Sequence, residues 1–140
     1  MPFDHEKLHV YQTGLQFITW VTPLLEEVKE HRGTTAEIRD QLDRASISVV
    51  LNTAEGNGKQ HPRLRAHFFE TARGSATECA AGLDVLVAKG ITTPDRVTDG
   101  KSLLFRVVQM LTKMLPPLPE QDRVREAQAA YDVDIADGEG

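Results

Sequence analysis

The chain has 140 residues, of which 40% are hydrophobic and 26% charged. That composition excludes a chain held open by its own charge, and the length suits one domain with one core. Its net charge of −5 comes from 16 basic against 21 acidic residues, and its one cysteine, Cys79, excludes an internal disulfide and any metal site built on several thiolates.

The start, Met-Pro-Phe-Asp-His-Glu-Lys, lacks the basic residues and apolar run of a secretory signal, so a cytoplasmic location is expected. From Leu8 to Leu25 no residue carries a formal charge, yet Gln12, Gln16, Thr19 and Glu26 fall on one side of a helical wheel. This favours a surface helix over a membrane span. The spacing predicts a first helix over His5–Glu30, stopped near Gly33 and kinked around Thr19–Pro23 by the proline. Leu8, Tyr11, Leu15, Ile18 and Leu25 form one apolar stripe on it, and Val10, Phe17, Val21, Leu24 and Val28 form a second. One core needs only one stripe, so the surplus predicts a partner subunit.

The second helix is expected to start with Thr34 or Thr35 as cap and to stop at Gly56. Between Ala45 and Ala54 it carries no charge, and Gln41, Arg44, Ser48, Asn52 and Glu55 recur along it as a narrow polar stripe. Buried polar groups need partners. Arg44, Ser48, Asn52 and Glu55, joined by Glu78, are therefore expected to form a structural network. No nucleophile or metal cluster accompanies them, so no catalytic residue is assigned and the chain is not read as an enzyme.

Pro62 suits a first turn, predicting a third helix from there to Lys89-Gly90 with Leu64, Phe68, Ala72, Ala76, Cys79, Leu83 and Leu86 as its core stripe. Gly74-Ser75-Ala76 offers a close approach for another helix. Thr93-Pro94-Asp95 opens a fourth helix that runs to Leu115 before Pro116-Pro117, with Leu103, Val107, Met110, Leu111 and Met114 facing inward. Four helices on short loops alternate in direction, giving an all-α, antiparallel up-down-up-down bundle over residues 1–118. Residues 119–140 form an acidic tail, partly disordered, with a short helix between Pro119 and Tyr131. Through Leu118 there are 14 basic and 14 acidic residues; beyond it Arg123 and Arg125 stand against Glu120, Asp122, Glu126, Asp132, Asp134, Asp137 and Glu139.

Val10-Tyr11-Gln12, Gln41-Leu42-Asp43-Arg44-Ala45-Ser46-Ile47-Ser48, Asn52-Thr53-Ala54-Glu55-Gly56 and Ala72-Arg73-Gly74-Ser75-Ala76-Thr77-Glu78 together carry a resemblance. The chain, over about Phe3 to Leu118, resembles the four-helix-bundle proteins encoded in intervening sequences of bacterial large-subunit ribosomal RNA genes. The resemblance implies a ring-shaped homopentamer. It also implies, from one branch of that family, the accessory variability determinant proteins of diversity-generating retroelements, an accessory role with RNA or DNA and a reverse transcriptase as partners. This chain departs from that branch in its neutral body and acidic tail.

The candidate nucleic-acid contacts are Lys59, Arg63, Arg65 and Arg73 around the turn between the second and third helices, with Arg39 as an outlying member. Clustered cations bind phosphates in a salt-dependent way. The plainer reading is a solvated helix start, since no aromatic residues interleave for base stacking. The other class of function is a protein-interaction scaffold with no nucleic acid. His5 and His9 stand one turn apart but lack a third ligand, so no metal is assigned. Gly56-Asn57-Gly58-Lys59 follows a helix rather than a strand, so it reads as a turn and no cofactor is implied. Cys79 is expected to be buried and inert.

Overall fold

The computed structural model describes residues 2–31, 35–117, 125 and 127–132. Four long helices carry it: α1 (His9–Lys29), α2 (Ala36–Asn57), α3 (Pro62–Ala88) and α4 (Pro94–Met114), with no strand among the described residues. They pack in cyclic order, α1 against α2, α2 against α3, α3 against α4 and α4 back against α1. Polar links between their ends fix alternating directions. Asn57 Nδ2 donates to Asp4 Oδ2 at 2.9 Å where α2 ends beside the start of α1, and Arg96 of α4 reaches Glu27 near the end of α1 at 2.9 Å.

The core is one contiguous cluster of buried side chains from all four helices. On α1 the buried residues are Val10, Thr13, Gly14, Phe17, Val21, Leu24, Leu25 and Val28, so the second predicted stripe faces inward. Leu15 of the first stripe is 41% exposed, with Tyr11 and Ile18 half-buried. On α3 the stripe begins at Phe69, fully buried, and not at Phe68 or Leu64, which is 50% exposed. The shift of one residue turns the first helical turn by about 100°. On α4 the fully inward residues are Val97, Gly100, Leu104, Val107 and Leu111, while Leu103, Met110 and Met114 lie at the edge of the core.

Helix ends follow local chemistry. Thr93 Oγ1 accepts from Arg96 N at 3.3 Å, and proline fills the first position of both α3 and α4. Thr35 precedes α2 without capping it through its side chain; its Oγ1 donates instead to Val28 O, across from α1. The alternative cap Thr34 and the expected stop at Gly33 lie outside the described residues. α3 closes on Gly90, at φ +72°, with Ile91 N donating to Leu86 O at 3.0 Å and Gly90 N to Val87 O at 2.9 Å. This two-bond motif needs a left-handed residue, which glycine supplies without strain.

Two expectations about helix bounds change. α1 begins at His9 because Asp4–Lys7 forms a single 3-10 turn ending in extended Leu8, held by Asp4 to Asn57 and by Gln12 Nε2 donating to Glu6 O at 2.9 Å. Pro23 lies inside the continuous α1, as expected, on its exposed side. α2 runs past Gly56 to Asn57; Gly56 is buried, and a Cβ there would stand 2.8 Å from the Phe69 ring. Its role is close packing against α3. Residues 127–132 are helical and exposed, and the rest of the expected tail lies outside the described residues.

Glu27 and Arg96 form an exposed bidentate pair, and the Arg96 hydrogen bonds hold the Glu27 carboxyl below the ordinary glutamate value. A lowered carboxylate stabilises the fold above the unfolded glutamate pKa and loses that contribution as pH falls through its own. The expected consequence is a small one: Glu27→Gln should lower stability slightly at neutral pH and converge with the parent as pH falls, so that the acid side of the stability curve flattens in urea titrations from about pH 7 to pH 3.

Candidate functional site

The predicted polar network divides. Ser48 Oγ and Ser75 Oγ are 2.7 Å apart across α2 and α3, and Asn52 Nδ2 donates to Ser48 Oγ at 2.9 Å. These three hydroxyl and amide groups satisfy one another in the seam, with Ser75 buried. Arg44 and Glu78 are exposed and stand apart from the cluster, and Glu55 pairs with Lys59 at 3.5 Å on the surface. A network buried within one chain that includes Arg44, Glu55 and Glu78 is therefore corrected to Ser48, Asn52 and Ser75. Serine and asparagine are short enough to remain in the seam, whereas the longer charged side chains reach water.

The basic cluster also sorts by role. Arg65 Nη1 donates to Asn57 O at 3.1 Å and Gly56 O at 3.4 Å, and its guanidinium lies 4.9 Å from the Phe69 ring centre. It adds a side-chain donor to the last carbonyls of α2, of which Gly56 O also accepts from Lys59 N at 3.1 Å. Lys59 lies 5.5 Å from the Phe68 ring centre, and Arg63 is exposed at the first turn of α3. Arg73 Nη1 donates to Thr112 Oγ1 on α4 at 3.3 Å. Arg39 belongs elsewhere: it lies 18 residues before Asn57 on α2, roughly 27 Å at about 1.5 Å per residue, beside Asp40, Asp43 and Lys29. It is no member of the cluster.

The alternating helix directions separate charge along the bundle. The end where α1 and α3 start and α2 and α4 stop carries Lys7, Lys59, Arg63, Arg65, Arg73 and Lys113 against Asp4, Glu6, Glu55 and Glu70, an excess of two positive charges. At the other end, among the described residues, Glu26, Glu27, Glu30, Glu37, Asp40, Asp43, Asp84, Asp95 and Asp99 outnumber Lys29, Arg39, Arg44, Lys89, Arg96 and Lys101 by three. Counting charges by sequence stretch hides this polarity; it emerges only when the helices are set side by side.

Among the described residues two apolar faces remain uncovered, on opposite sides of the bundle. Leu15 of α1 with Ile47 and Leu51 of α2 makes one; Leu51 is 59% exposed. The other is a groove of about 890 Å³ between α3 and α4, lined by Ala76, Ala80, Val87, Leu104, Phe105 and Val108, with Phe105 64% exposed. An exposed phenylalanine in an apolar groove marks a binding surface more than a chance exposure. The sequence signal for the first face was the surplus stripe on α1; for the groove, Phe105 was the missed clue.

Among the described residues no group of three or more His, Cys, Asp or Glu side chains could hold a metal ion, and no helix is long and apolar enough to cross a membrane. Cys79 is fully buried in the core, and burial, with the nearby Glu78 charge adding to it, pushes its thiol up to about 12. It should not react with a thiol reagent at neutral pH until the chain unfolds, which a colorimetric thiol titration with and without urea would show. Because the native thiol holds its proton beyond the unfolded value of 9.0, its contribution to stability is present below pH 9 and lost as pH rises toward 12.

The family model for the 23S rRNA-intervening sequence protein matches residues 6–113 of this chain. Among solved structures, a protein of unknown function from the S23 ribosomal protein family of Bacteroides thetaiotaomicron matches with a TM-score of 0.70 at 17% identity, over 77% of this chain and 99% of that one. At that identity the likeness is one of fold. No curated protein matches the chain.

Proposed function

We propose a function from one premise: this chain belongs to the 23S rRNA-intervening sequence protein family. It is a homo-oligomeric binding protein and not a catalyst, acting in the cytoplasm. Copies of it pair the α1–α2 face of one with the α3–α4 groove of the next. The observation that carries this reading is the placement of the two apolar faces on opposite sides of one bundle. Two unlike faces make a heterologous contact, and a heterologous contact that closes on itself makes a ring. The family resemblance supports a ring of five copies.

In a ring whose axis runs along the helices, every copy presents the same end to the same rim. The small positive excess of one copy is then repeated side by side, with Lys59 and Arg63 outermost and Arg65 partly committed to closing α2. Such a rim attracts the phosphates of RNA or DNA. A reverse transcriptase is the protein partner that the accessory branch of the family suggests. The test is fluorescence anisotropy with labelled structured RNA and double-stranded DNA. Binding should weaken steeply with salt and fall at least tenfold for Lys59→Ala with Arg63→Ala; binding indifferent to salt or to both substitutions defeats the nucleic-acid role. The groove supports a second reading, a protein scaffold, for which a partner retained in pulldown after nuclease treatment would speak.

A further inference from the structure

We propose that the basic end of the bundle takes unpaired nucleotides of RNA or DNA, one base stacking on the exposed Phe3 ring while Lys59 meets a neighbouring phosphate. The proposal rests on the phosphate-binding reading above and names the form of nucleic acid that such a site selects. It stands on a juxtaposition made by the fold. Asp4, in the 3-10 turn before α1, accepts from Asn57 Nδ2 at 2.9 Å, 53 residues away in the chain, which sets that turn against the end of α2. The aromatic side chains of the turn thereby arrive beside the cations. His5 and Lys59 line one open pocket with Leu51, Ala54, Glu55 and Gly58.

Phe3 is 74% exposed, more than Phe105 in the groove. Its ring lies nearly parallel to that of His5, 5.8 Å between centres and 19° between planes, and the His5 ring meets Tyr11 edge-on at 4.7 Å. The platform is backed on one side and open to water on the other. It is also held in place: Phe3 N donates to the Glu6 carboxylate, Phe3 O accepts from Glu6 N at 3.1 Å, and Gln12 Nε2 donates to Glu6 O from α1. Lys59 in turn lies 5.5 Å from the Phe68 ring centre, and Phe68 meets the exposed His67 edge-on at 5.5 Å, so cationic and aromatic groups alternate across this end. An aromatic side chain accepts any base, because every base has a flat π-face, but it reaches that face only where the base is out of a duplex. The charges argue the same way. Asp4, Glu6 and Glu55 sit among the cations, and an excess of two per copy is a weak hold on a duplex, which offers its phosphates and keeps its base faces stacked. A strand with splayed bases adds stacking, which salt screens little.

Fluorescence anisotropy of the full chain tests this with labelled unstructured RNA and DNA strands of about 12 nucleotides, an abasic DNA strand of that length, and a DNA duplex. An unpaired strand that carries bases should bind roughly tenfold more tightly than the abasic strand or the duplex. Phe3→Ala should remove that advantage and leave abasic binding alone, with the slope of log affinity against log salt unchanged. Phe3→Trp should restore it, whereas Lys59→Ala should reduce the slope. Phe3 lies outside the core, so circular dichroism should show both of its variants folded. Equal affinity for the abasic strand, tighter binding of the duplex, or a Phe3→Ala protein that binds like its parent would overturn the proposal. Salt-dependent binding of the abasic strand and the duplex as tightly as the others would still leave the phosphate-binding reading standing. No binding of any of the four probes defeats both. A preference between the RNA and DNA strands, lost in Phe3→Ala, sustains the proposal and identifies which of the two the site takes.

Discussion

Gly100→Ala is expected to destabilise the fold by about 1–3 kcal/mol, against the usual direction for glycine in a helix. An alanine normally gains up to about 1 kcal/mol there. At residue 100 of α4, however, the added Cβ would stand 2.2 to 2.5 Å from three atoms of the Trp20 ring. A rigid indole cannot yield by turning a terminal bond. It would have to leave its stack on Phe17, 5.7 Å between centres, and its place beneath Arg96, at 5.5 Å. Thermal unfolding followed by circular dichroism should show the melting point falling by roughly 3–6 °C per kcal/mol. Gly74→Ala is the control: a Cβ there meets nothing within 4 Å, so the same substitution should stabilise by about 0.5–1 kcal/mol. In a Trp20→Leu background the penalty of Gly100→Ala should shrink, because a smaller side chain makes room; an unchanged penalty would mean the ring is not what α4 meets.

The bundle was legible in the sequence where periodicity and end signals agree. Thr93-Pro94 opening α4 and Gly90 closing α3 are local motifs whose chemistry does not depend on the rest of the fold. Four features lay beyond such local reading. The choice between Phe68 and Phe69 turns on how α3 is rotated against α2, where both residues are apolar and only Gly56 on the opposing helix decides which ring fits. The polar stripe of α2 could not reveal which of its members leave the seam for water, because side-chain length and the neighbouring helix settle that together. The basic cluster merged residues near in sequence with Arg39, some 27 Å away along α2. The α3–α4 groove escaped notice because its walls are alanine and valine, residues equally at home in a core. Small residues bury little by themselves, and their meaning appears only when a large exposed neighbour such as Phe105 sits beside them.

Leu51→Asp and Phe105→Asp should each convert the assembly into folded monomers near 15.6 kDa, measured by light scattering after gel filtration. Both positions are more than half exposed in a single copy, so neither substitution disturbs the core. Each would bury a carboxylate in an apolar contact, losing about 1.5–3 kcal/mol of apolar burial and adding a desolvation penalty of several kcal/mol. That weakens each contact by a factor of a hundred or more. Mixing the two variants then separates the possible symmetries. With heterologous pairing, Leu51→Asp keeps a sound α3–α4 groove and Phe105→Asp keeps a sound α1–α2 face, so the mixture should form a dimer of one copy of each and grow no further. With self-complementary faces, Leu51→Asp alone would still dimerise through its groove, and Phe105→Asp through its α1–α2 face. If both variants retain the mass of the parent protein, the apolar faces do not hold the copies together, and the groove is left to a different protein partner.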